Sequence, residues 1–207
     1  MPAGFVPTKA ASTKKQYTPK EIIKTKQFYL LVGGLFFTLP AYFMLLPIFM
    51  SLGKDRGLSP GIAALGLILT GIGSAAGRLT VSWTSDKIGG KAAMAAIAAI
   101  TLIASLVMTA AQGILFLVCI MLISFGFGGA ASVYSAMTAA SFGTRYGGMN
   151  FGLVMLGFGV SALAFQNIAN FKLLSVDASF VLAAVTCAVA IVLVLLLDAP
   201  GKSTAKK

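Results

Sequence analysis

Histidine is absent from the 207 residues, and only five residues are acidic: Glu21, Asp55, Asp86, Asp177 and Asp198. The first absence removes the side chain that most readily serves as metal ligand, general base and proton shuttle near neutral pH. Cysteine is nearly absent as well. Cys119 and Cys187 each sit inside an apolar run with no partner at ligand spacing, so both read as small packing residues and say nothing of redox compartment. Nothing remains from which to assemble a nucleophile with a base, or a metal cluster. The sequence therefore offers no catalytic residue, no metal site and no cofactor site, and enzymatic work is not expected of it.

Charge is scarce overall. Charged residues make up 10% of the chain, against about 25% in soluble domains. In their place stand 58% hydrophobic residues, 23 glycines and a mean hydropathy of +0.94. Such a chain belongs in a bilayer. A hydrocarbon core about 30 Å thick needs roughly 20 apolar residues per helix, and six runs meet that need. They are Phe28 to Met50, Gly61 to Trp83, Ala92 to Ala111, Gly113 to Ala139, Asn150 to Ile168 and Phe180 to Leu197. The runs are continuous rather than alternating, which excludes a strand barrel. The first starts too late, runs too long and lacks a small-residue cleavage pattern, so it is not a secretion signal. The expected fold is all-α, with six transmembrane helices in one bundle over 28–197. Residues 1–27 form a basic cytoplasmic linker carrying a short amphipathic helix, and 198–207 a basic cytoplasmic tail. In "TPKE", Thr18 caps that helix, Pro19 opens it and Glu21 completes a capping box ahead of Ile22 and Ile23.

A net charge of +11 would direct a soluble protein toward nucleic acid, but here the basic residues lie outside the apolar runs and mark topology, so no nucleic-acid partner is inferred. With the N-terminus inside, that side holds six lysines of the N-terminal segment with Arg78, Lys87, Lys91, Arg145, Lys202, Lys206 and Lys207; Lys54, Arg56 and Lys172 lie opposite. Thirteen against three puts both termini in the cytoplasm; the plasma (cytoplasmic) membrane is the expected location.

The densest charge between two runs is "GRLTVSWTSDKIGGK", residues 77–91. By composition it is the cytoplasmic end of the second helix and a tight turn: Asp86 suits the N-terminus of the next helix, and Gly89 and Gly90 permit a compact bend. It also resembles the loop signature of the major facilitator superfamily between its eighth and ninth helices, G-R-x-x-x-G-x-x-S-D-R-x-G-R-K. Gly77, Arg78, Ser85, Asp86, Gly89 and Lys91 match and Lys87 replaces an arginine, while Ser82 and Gly90 depart from the pattern. "TPKEIIKTKQFYLL", "FGTRYGGMNFGLVMLGFGVSAL" over 142–163 and the opening "PAGFVP" are similar to the oxalate/formate antiporter family within that superfamily, related to the monocarboxylate transporters.

The resemblance aligns the chain with a C-terminal half. It implies a secondary carrier of two six-helix bundles, each made of inverted three-helix repeats, here 28–111 and 113–197, with the substrate site between bundles. The expected partners are the lipid bilayer, a small organic anion and a second six-helix bundle, either a missing half or another chain. A non-transporting subunit, an inactive fragment or a channel are the rivals. No carboxylate or histidine lies within any run, so a proton relay is not expected in this half; exchange of one anion for another needs none.

Arg78 is the one charge expected to reach into a span, about 8 Å from the helix end. Relatives that carry dicarboxylates hold the anion with an arginine on this helix and a lysine on the eleventh. Arg78 matches the first; Phe158 stands where the lysine would be. Either Arg78 forks onto a carboxylate, or it belongs to the loop signature and snorkels to the interface. Tyr42, Tyr134, Phe158 and Gln166, with Asn167, are the other candidates for the cavity, Tyr134, Gln166 and Asn167 being equally able to hydrogen-bond a neighbouring helix. Pro40 and Pro47 should kink the first span, Pro40 and Phe43 lining the cavity beside Tyr42. Gly73 with Gly77, and Gly148 with Gly152, suit close helix approach, while Gly126 to Gly129 and the Gly152, Gly157, Gly159 series serve packing or bending. Trp83 and Tyr146 suit an interfacial belt.

Overall fold

A computed structural model describes residues 16–197; the expected linker segment 1–15 and the tail 198–207 lie outside the described residues. The described chain contains helices and no strand. A single turn, α1 (Pro19–Ile22), is followed by α2 (Lys26–Thr38), α3 (Pro40–Asp55), α4 (Pro60–Ile88), α5 (Gly90–Met108), α6 (Gly113–Phe142), α7 (Gly147–Val154), α8 (Leu156–Asn170) and α9 (Val176–Leu195). Paired as α2 with α3 and α7 with α8, they give six spans long and apolar enough to cross a membrane. The chain is an integral, multi-pass membrane protein.

Local chemistry explains where the spans end. The Thr18 N–H and hydroxyl both donate to the Glu21 carboxylate at 2.8 and 2.9 Å, setting the start of α1. The first span breaks between Thr38 and Pro40, whereas Pro47 is carried inside α3. A proline has no N–H for the carbonyl four residues back. Here that carbonyl belongs to Phe36, and the Ser161 hydroxyl of α8 donates to it at 2.8 Å. The bond lost within one helix is thus made between two, as a bilayer interior requires.

The second span differs from expectation. α4 passes Trp83 and ends at Ile88, so Thr84 to Lys87 are helical, and the turn to α5 is Gly89 alone, at φ +86°. The polar stretch does not stop the helix because its hydroxyls fold back onto it: Thr80, Ser82 and Thr84 donate to the carbonyls four residues before them at 2.7 Å. Asp86 does not cap α5. It lies on the last turn of α4 with no hydrogen-bond partner among the described residues, since helical side chains lean toward their own N-terminus. Gly90 opens α5 against the Met137 side chain.

The spans pack as an inverted repeat. The second span lies along the fourth and the fifth along the first; the third contacts the fourth and the sixth contacts the first; the third and sixth pack together. Exchanging first with fourth, second with fifth and third with sixth leaves this set unchanged. The tightest pairing, α4 on α6, is made by glycines. A Cβ on Gly73 would stand 2.7 Å from the Met121 carbonyl oxygen, one on Gly77 would strike the Phe125 carbonyl, and one on Gly128 the Ser74 carbonyl. Gly126 and Gly129 are likewise closed in by Thr101 and Val81, so the glycines over 126–129 serve packing within an unbroken α6. Gly148, Gly152 and Gly159 face open space instead, while Gly157 abuts the Val32 carbonyl.

The chain ahead of the first span is fastened to the turn between the fourth and fifth. Tyr17 N–H donates to the Phe142 carbonyl at 2.9 Å, and buried Asn150 donates from Nδ2 to the Tyr17 carbonyl at 3.1 Å. Cys119 and Cys187 are buried free thiols.

Candidate functional site

Two of the sequence candidates meet in a cluster of aromatic rings. Tyr42 of α3 stacks on Phe127 of α6 with centroids 3.8 Å apart and planes 15° apart. Phe43 stands edge-on to Phe158 of α8 at 5.2 Å, and Phe127 lies 5.8 Å from Phe158. Each ring falls near the midpoint of its span, so the cluster sits at mid-span. Phe127 was not singled out from the sequence, where it is hidden in "GFGG"; its midpoint position in the fourth run was the available signal.

Arg78 lies ten residues before the end of α4, or ~15 Å along the axis, deeper than the sequence placed it, because the helix continues to Ile88. Moving it out of the loop leaves the count of basic residues by side at twelve against three. The Arg78 carbonyl accepts from the Ser82 hydroxyl, but no ion pair or hydrogen bond engages its guanidinium among the described residues. It is also the only charged residue there more than two residues from the end of a span.

The remaining candidates lie apart. Tyr134 is enclosed at 1% exposure, and its hydroxyl has no hydrogen-bond partner among the described residues and fills the space a Cβ on Gly34 would need. Gln166 is exposed about two turns beyond Phe158. Asn167 donates to the Leu163 carbonyl at 2.8 Å. Pro40 and Phe43 are buried, so neither lines an open surface beside Tyr42. A shallow apolar groove between α3 and α4 is lined by Tyr42, Leu45, Leu46, Phe49 and Thr70, without Arg78.

The loop-signature residues are mostly structural. Gly77 seats α6, Ser85 is buried and donates to the Ser82 carbonyl at 2.8 Å, and Gly89 makes the turn. The Lys87 ammonium stands 3.7 Å from the centre of the exposed Trp83 ring, an interfacial arrangement. Lys91 reaches the end of α9.

The family model of the Major Facilitator Superfamily matches residues 31–207. The chain belongs to that superfamily. Among solved structures, 13 chains match, and one is the E. coli fucose:proton symporter, with a TM-score of 0.68 and 17% identity. The alignment covers 86% of this chain and 44% of the symporter, so this facilitator chain spans less than half the length of that relative. At this identity the likeness establishes the fold: six helices of a facilitator half, with its inverted three-helix repeats. No curated protein matches the chain.

Proposed function

We propose that this chain is the C-terminal six-helix half of a secondary membrane carrier that moves a small organic anion by alternating access, in the manner of the oxalate/formate antiporters it resembles. The observation that carries the reading is the depth of Arg78, the single charge among the described residues well inside a span, ten residues from the end of α4, in a bundle whose mid-span positions hold the ring cluster of Tyr42, Phe43, Phe127 and Phe158. An arginine keeps its charge in low dielectric and can fork onto a carboxylate. One cation beside four rings favours a monocarboxylate with an apolar body over a compact dianion such as oxalate, which would want two.

Over the most apolar 18-residue stretch of each span, the second and fifth bury the smallest share of residues, 28% each against 44–56% in the others, and have the lowest mean hydropathy. Their open faces, α4 and α7 with α8, are the seat for a second six-helix bundle, and the cavity closes only against it. Exchange suits this half better than proton symport, since no histidine or deep carboxylate is available to relay a proton. Cytoplasmic termini are what the lysine and arginine bias supports, and the plasma membrane is the location proposed with them. A carrier, rather than an enzyme, is the reading these features support.

The test is counterflow of labelled benzoate and labelled oxalate in proteoliposomes holding this half with its second bundle. Saturable benzoate counterflow that falls at least tenfold in Arg78→Lys supports the reading. Transport and substrate preference unchanged by Arg78→Lys would remove the bidentate contact, and conductance without counterflow would indicate a channel.

A further inference from the structure

The third and sixth spans are fastened to each other at both ends by a cation placed on helix-terminal carbonyls. At one end Lys91, the second residue of α5, donates from Nζ to the carbonyls of Leu195 at 2.7 Å and Leu197 at 2.8 Å, where α9 finishes. At the opposite end Arg56 donates from one guanidinium nitrogen to the carbonyls of Thr109 at 2.8 Å and Ala111 at 3.2 Å, where α5 finishes. Its other terminal nitrogen pairs with Asp177 at 3.0 Å. Asp177 is the second residue of α9.

These contacts are related residue by residue. A displacement of 86 carries Thr109 onto Leu195, Ala111 onto Leu197 and Lys91 onto Asp177. The carbonyls at the two ends therefore correspond one for one. What differs is the residue in the second place of the partner helix. A lysine there reaches the carbonyls directly. An aspartate cannot donate, and a third residue, Arg56, stands between it and the same two carbonyls.

The chemistry requires something of this kind. The last carbonyls of a helix have no partner within it, and the helix dipole places negative charge at that end, which a cation complements. Arg56 is held on its other side too, because its own carbonyl accepts from the Gly113 N–H at 3.3 Å. Its side chain is 15% exposed, so its bonds to the two carbonyls are partly shielded from water, while the Asp177 side chain, at 66%, stands open to it.

We propose that Lys91 and the Arg56–Asp177 pair are two forms of one latch, repeated at opposite ends of the bundle, which positions α5 against α9. Asp177 acts as an adaptor that lets an arginine from the end of the first span do what lysine does unaided at the other end. This assignment is independent of the substrate reading: it concerns how the bundle is held in register, and it stands whether or not the anion does.

The experiment is hydrogen–deuterium exchange, read by mass spectrometry on the full chain in lipid nanodiscs. R56A removes charged hydrogen bonds, and the peptide covering 105–113 then exchanges about tenfold faster while 190–197 keeps its rate. K91A gives the reverse pattern. The deciding variant is R56A/D177K, which puts a lysine in the place corresponding to Lys91; it restores protection of 105–113 to within about threefold of the unaltered chain. If R56A does not accumulate, R56M, which keeps the aliphatic stem, replaces it in the same comparison. A double variant that exchanges as fast as the single one overturns the equivalence of the two ends. Single variants that leave both peptides unchanged overturn the latch itself.

Discussion

Gly77→Ala should separate α4 from α6. The added Cβ would meet the Phe125 carbonyl oxygen at less than contact distance, with Gly129 N and the Phe125 carbonyl carbon each at 3.0 Å. All three are backbone atoms of a continuous helix, so none can swing aside, and α4 must withdraw by about 1 Å to restore ordinary contact. Overpacking of this kind costs about 1–3 kcal/mol, and close approach through small residues is a main source of helix affinity in lipid. Against it stands about 1 kcal/mol of improved helix propensity. The control is Gly71→Ala, where nothing lies within 4 Å of the new carbon, so only the propensity gain applies. Because the propensity gain is common to both, the two variants should differ by about 1–3 kcal/mol in equilibrium unfolding in mixed detergent micelles, a ratio of roughly 5- to 150-fold. If Gly77→Ala unfolds no earlier than Gly71→Ala, the glycine-mediated contact between α4 and α6 is refuted.

Other substitutions have outcomes of different kinds. Gly89→Ala places a Cβ at φ +86°, in a one-residue turn, and should lower the unfolding free energy by about 1–2 kcal/mol; no loss would mean the turn is made otherwise. Tyr134→Phe removes a buried hydroxyl that has no partner among the described residues, so stability should hold or rise by about 1 kcal/mol, with counterflow kinetics unchanged. A fall in transport would return Tyr134 to the site. Phe127→Ala should cost about 2–4 kcal/mol and shift counterflow toward bulkier anions, since its ring stacks on Tyr42 and reaches Phe158; unaltered selectivity would separate the ring cluster from the substrate.

The number of spans and their approximate centres were legible in the sequence, because an apolar run of about 20 residues has few other uses. Their ends were not. Hydropathy reads "TSDKI" as a loop, yet each hydroxyl of that region finds a carbonyl one turn back, and the helix stops only where Gly89 takes a positive φ. The misplaced end then put Arg78 too near the surface. The capping box at Thr18 was legible, being local. The partners of Arg56 and Lys91 were not, since a count of charges by side cannot tell which helix end a cation will reach. Tyr42 came from its place beside the Pro40 kink, and Phe158 from a place in a resembled pattern. Phe127 needed the packing of three spans to be seen, and Tyr134, equally aromatic and on the same helix, was turned inward by Gly34.

The bond from Ser161 to the Phe36 carbonyl exists because Pro40 has no hydrogen to offer. This ties the inheritance of two distant positions together. A lineage that exchanged the proline for alanine would restore the missing bond inside the first span and release the serine to become alanine at little cost. One that lost the serine first would strand a carbonyl in hydrocarbon. Sequences of this half should therefore change at position 40 before they change at position 161, and seldom in the other order.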